Sequence, residues 1–164
     1  MNKLGTLAVI FSTIVQSSCS LVSLENDKQY MVSSGQSFGF CLGPCFQTLS
    51  LDWGSQQAEF IIRHTEFENN SVGFREEVIP INFSQDIWNE TLNEVKNIDD
   101  FESYEMVYGC PDCADGGAEW IEITDKEGTH RVTFEFGKTV KGLDNLILLL
   151  RNKRTALSKM HVSQ

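Results

Sequence analysis

"AEWIEITDKEGTHRVTFEF", residues 118–136, decides the fold class. Its first half sets Ile121 and Ile123 on one side of Glu122, and its second alternates Val132, Phe134 and Phe136 with Arg131, Thr133 and Glu135. A period of two on both sides of the turn "DKEG" predicts an antiparallel hairpin with one apolar and one wet face. Such a hairpin needs a cover on its apolar side only. "GLDNLILLLRNKRTALSKM" (142–160) supplies one: Leu143, Leu146, Ile147 and Leu150 recur at helical spacing, and Arg151, Lys153 and Arg154 follow where the helix dipole favours cations. With Leu148 and Leu149 added, two turns are apolar nearly all round, as expected of a helix buried against a sheet.

Upstream, "QSFGF" (36–40), "FQTLSLDW" (46–53), "AEFIIRHTEF" (58–67) and "EEVIPINF" (76–83) are short aromatic and β-branched runs separated by Gly, Asn and Ser. They predict a four-strand antiparallel meander, with Pro80 at an edge or bulge because it has no N–H to give. Ser84 offers an N-cap for "QDIWNETLNEVKN", where Ile87 or Trp88, Leu92 and Val95 form an apolar stripe. "FESYEMVY" (101–108) reads as one more strand. The fold class expected is α+β: an antiparallel sheet, made of the four-strand meander plus the C-terminal hairpin, with two helices covering one face.

At 164 residues the chain suits a single domain, and 41% hydrophobic with 22% charged residues is an ordinary globular composition. A net charge of −10 repels phosphate backbones and no basic stripe offsets it, so nucleic acid is excluded as a partner class.

The amino terminus is of another kind. Lys3, the apolar run "LGTLAVIFSTIV" (4–15) and the small residues of "QSSCS" (16–20) have the anatomy of a secretory signal, too short to span a bilayer. "VQSSCS" resembles the lipobox of bacterial lipoproteins, with Ser17 and Ser18 before Cys19 and with Gln16 departing from the aliphatic preference of the pattern. The resemblance implies lipidation of Cys19, and hence attachment to the membrane through an N-terminal lipid anchor. Ser20 is not the Asp that marks inner-membrane retention in the enterobacterial scheme, which points to the outer membrane. Ordinary cleavage near Ser18 to Ser20 would release a soluble periplasmic or secreted protein instead. The expected division is a signal peptide over 1–18, a lipid tether over 19–34 and one domain over 35–164.

Export gives the other four cysteines, Cys41, Cys45, Cys110 and Cys113, their meaning: an even number in a compartment that tolerates disulfides. Three connectivities are open. Crossed bridges between the two pairs are the favoured expectation, since they would constrain the unfolded chain by on the order of 4 kcal/mol.

Other chemistries are weaker. "CPDC" has the frame of thioredoxin-like active sites, but Gly116 and Gly117 would break a following helix and no proline follows Cys113. The four thiols could close a tetrahedral zinc or copper site, although exported thiols are usually oxidised. His64, His130 and His161 read as surface residues, and Asp112, Asp115 and Glu119 as a solvated acidic turn without the pattern of an EF-hand. Glu59, Glu66 and Glu68 alternate along one strand, as a solvated face does. Nucleophile-elbow, zincin, P-loop and dinucleotide motifs are absent.

"GCPDCADGGAEWIEI", followed later by "LDNLILLLR", resembles a family of small exported bacterial lipoproteins through Cys110, Cys113, Gly116, Gly117 and Trp120. The resemblance implies export and no particular activity. The function expected is a non-enzymatic binding or envelope-structural module stapled by two disulfides, with an envelope protein as partner and no cofactor. The competing class is a thiol-based metal-binding or redox protein using Cys110 and Cys113.

Overall fold

The structure is a computed structural model and describes residues 30–39, 41–68 and 71–162. The expected signal peptide, Cys19 and most of the tether lie outside the described residues.

The architecture is α+β, with one seven-stranded, mostly antiparallel sheet and two α-helices. The strands are β1 (Met31–Ser37), β2 (Gly43–Asp52), β3 (Gln57–Glu68), β4 (Ser71–Ile81), β5 (Val107–Tyr108), β6 (Ala118–Thr124) and β7 (Thr129–Glu135). The helices are α1 (Gln85–Lys96) and α2 (Asp144–Val162). Across the sheet the order is β4-β3-β2-β1-β6-β7-β5, with β5 parallel to β7 and every other pairing antiparallel.

Register puts the apolar residues on one face. Val32 stands opposite Leu51 and Ile123, Leu49 opposite Phe60, and Ile121 opposite Val132. These join Trp88, Leu92 and Val95 of α1 and Leu146, Ile147, Leu150 and Leu157 of α2 in one buried cluster. Each fully buried Leu, Ile or Phe there contributes about 1.5–3 kcal/mol, the term that holds helices to sheet. Trp53 at the end of β2 meets Trp88 edge to face at 5.1 Å and anchors α1. Ser84 occupies the N-cap position with extended backbone, but its side chain makes no capping hydrogen bond.

Three expectations need correction. The first described strand is "MVSSGQS", Met31–Ser37, rather than 36–40. β1 lies mid-sheet, with β2 on one side and β6 on the other, although it is mostly small and polar. Segment 101–108 is a short 3₁₀ turn, Phe101–Ser103, followed by the two-residue β5, because Met106 and its neighbours meet only the far edge of β7. Phe136 falls beyond β7, is exposed, and stacks on Phe38 at 4.9 Å instead of entering the core.

Candidate functional site

Four cysteines were expected to staple the domain, and the structure bonds them locally, Cys41 to Cys45 and Cys110 to Cys113, with Cα separations of 5.6 and 5.5 Å. The crossed pairing is thereby overturned. Loop-closure entropy favours long loops, but each pair is already held face to face by its own turn, and the two turns are joined by other means.

That means is Asp112. Its Oδ1 accepts from the Gly39 N–H and from the Gly117 N–H, each at 3.2 Å, while its own N–H donates to the Gly117 carbonyl at 3.0 Å. One carboxylate therefore ties "CPDCADGG" to the segment leading into "CLGPC". Asp112 adopts left-handed backbone (φ 59°) to do so, a conformation open to Asp because of its short polar side chain. Ala114 and Asp115 are also left-handed, so Cys113 starts no regular helix. Glu135 completes the clasp by accepting from the Cys110 N–H at 3.1 Å. Gly117 is required in its place: a Cβ there would run into the Phe38 ring.

Beside this clasp, on the sheet face away from the helices, Gly39, Cys41, Leu42, Thr65, Phe67 and Val72 line a hollow of about 410 Å³. Its rim is apolar, and Leu42, Phe67 and Val72 are exposed. The rest of that face carries a row of stacked cations and rings: Arg131 over Trp120 at 5.1 Å, Trp120 against Phe46 at 5.4 Å, and Arg63 over Phe46 at 4.8 Å. Arg63 in turn donates to Glu76 at 2.7 Å, and Arg131 to Glu122 at 2.8 Å.

Several residues read as solvated from the sequence are engaged. Glu119 does not join Asp112 and Asp115 in an acidic turn. It is buried on the opposite face, accepting from Arg151 Nε at 3.0 Å, from the Gly137 N–H at 2.8 Å and from Arg154. Arg154 is 1% exposed and also donates to Ser34 and Gln36. Burial lowers its pKa, against the pull of Glu119. No local pattern in the sequence signals this cluster, because β1, "MVSSGQS", is polar on both faces. His64 approaches Glu77 at 4.0 Å, His130 contacts the Tyr104 carbonyl at 3.0 Å, and Glu66 accepts from Arg75 at 3.0 Å.

Among the described residues no group of three or more His, Cys, Asp or Glu converges on a common point, and no helix is long and apolar enough to cross a membrane. The chain matches no known family model, and no curated protein matches it.

Proposed function

We propose that the protein is an exported, non-enzymatic binding module of the bacterial cell envelope, anchored through a lipid on Cys19 and built on a four-strand meander extended by the C-terminal hairpin. Its binding end is the pair of stapled loops, "CLGPC" and "CPDCADGG". The observation that carries this reading is the Asp112 clasp, which brings two loops more than sixty residues apart in sequence to one end of the sheet beside an apolar hollow. A rigid, concave surface with apolar walls and few charges suits a protein segment of the envelope. The thiol-based alternative draws less support, because Cys110 and Cys113 are bonded within an irregular turn that gives neither sulfur a helix N-terminus.

Intact mass of the protein from its native envelope fraction, alkylated with and without prior reduction, tests the reading. Alkylation of the four domain cysteines only after reduction, together with acyl chains on Cys19, is the expected result. Labelling without reduction, or only after a chelator, would move the assignment to redox or metal chemistry. An unacylated Cys19, or a chain lacking it, would make the protein soluble.

A further inference from the structure

The two edges of the sheet are unlike. At one, β7 is shielded by the two-residue β5 and by the Met106 carbonyl, which accepts from the Thr133 N–H at 2.9 Å. At the other lies β4, eleven residues long, and among the described residues no strand pairs with its outer side. A long edge is a template for another strand, and Pro80, one residue from the end of β4, interrupts this one only at its margin.

The hydrogen-bond alternation can be followed from strand to strand. Phe38 donates to Cys45 and Trp53 to Tyr30, so the even-numbered residues of β1 bond to the odd-numbered residues of β2. The even-numbered residues of β2 then bond to β3, and the even-numbered residues of β3 to the odd-numbered residues of β4. Val72, Phe74, Glu76, Val78 and Pro80 are therefore the residues whose main-chain groups face outward. Pro80, with no N–H, sits where none is missed by β3.

These same residues project onto the helix-free face, where Val72 is 51%, Phe74 70% and Val78 54% exposed. The segment is complementary to itself. Paired antiparallel about Glu76, it places Phe74 opposite the second copy's Val78, Val72 opposite its Pro80, and Arg75 opposite its Glu77. Shifting the centre by one residue sets Arg75 against Arg75 or Glu77 against Glu77. In the favoured register the one like-charged pair is Glu76 with Glu76, and each of these carboxylates is already held by Arg63 of its own chain at 2.7 Å.

We infer that two copies of the protein associate through β4, antiparallel and centred on Glu76, to form one continuous sheet across a two-fold axis. Such a contact is closed: it uses the β4 edge of each copy and stops at two. This inference stands apart from the binding role of the stapled loops, although it places both helix-free faces on the same side.

Cysteine cross-linking of the full chain in its native envelope tests it. At a hydrogen-bonded position on the two-fold the Cα atoms lie about 5.5 Å apart, within disulfide reach. Glu76→Cys should give about tenfold more covalent dimer on oxidation than Glu59→Cys, a control one strand inside the edge. Chains carrying Arg75→Cys should cross-link to co-expressed chains carrying Glu77→Cys more than to each other, which reads the register even where Glu76→Cys folds poorly. Adding Phe74→Pro, which removes an outward N–H without touching the β3 ladder, should abolish both products. Equal dimer from Glu59→Cys, a monomer from a folded Glu76→Cys chain, or a new thiol bonded to Cys19 of the same chain would overturn the inference.

Discussion

The six-membered ring of the Trp120 indole occupies the space that a Cβ on Gly35 would need, so the centre of the sheet closes over a residue with no side chain. Gly35 and Trp120 are directly opposite in the β1–β6 ladder, and Phe46 and Arg131 pack against the same ring. Gly35→Ala forces the ring out of this stack and should destabilise the fold by about 1–3 kcal/mol. Trp120→Phe withdraws the atoms that collide. In thermal melts the double variant should therefore lose less than the two single losses added together, a coupling that independent sites would not show.

A second prediction concerns the ion pair beneath α2. Glu119 is buried with Arg154 and Arg151 around it, and the arginines hold α2 to β1 and β6. Glu119→Ala would leave Arg154 charged and unpaired in the core, a loss of about 3–5 kcal/mol. Combining it with Arg154→Met removes the stranded charge. Chemical denaturation should then show the double variant to be more stable than Glu119→Ala alone.

This cluster also explains what could be read from the sequence and what could not. The β6–β7 hairpin and both helices were legible because their periodicities lie in consecutive residues and register fixes the rest. β1 was not: Ser33, Ser34 and Gln36 form no apolar pattern. Ser33 is satisfied by Ser50 at 2.8 Å, while Ser34 and Gln36 are satisfied by Arg154, more than a hundred residues away. Arg154 itself read as a cation near a helix end. The cysteines announced disulfides, whose local pairing is set within each turn, but the Asp112 contact with Gly39 that joins the two turns is encoded by no local pattern.

Asp112 gives the third prediction. Asp112→Ala removes the acceptor shared by Gly39 and Gly117 and places a Cβ-bearing residue without a short polar side chain in left-handed backbone. Asp112→Asn keeps an oxygen at that position and tolerates the conformation. Amide exchange at Gly39 and Gly117 should accelerate by at least about tenfold in Asp112→Ala, for a loss of about 1–2 kcal/mol, and by much less in Asp112→Asn. Equal exchange in the two variants would show that the charge, not the acceptor oxygen, joins the loops.

The last prediction follows from the β2–β3 turn. Asp52 accepts from the Ser55 hydroxyl at 2.7 Å and from the Gly54 N–H at 2.7 Å. The Ser55 hydroxyl holds its pKa below the ordinary carboxylate value against the opposing effect of burial, with lesser help from the Gly54 and Ser55 N–H groups. A carboxylate whose pKa is lower folded than unfolded contributes stability above the unfolded value, and that contribution drains away as the pH falls through the folded one. The group is close to solvent, so the effect is modest, but its position at the hairpin that sets the β2–β3 register gives it a local readout. Melting temperature followed from about pH 6 to about pH 3 should fall more steeply for the native chain than for Asp52→Asn, with the two curves converging at the acid end. Parallel curves throughout would mean that the turn is held by its backbone alone.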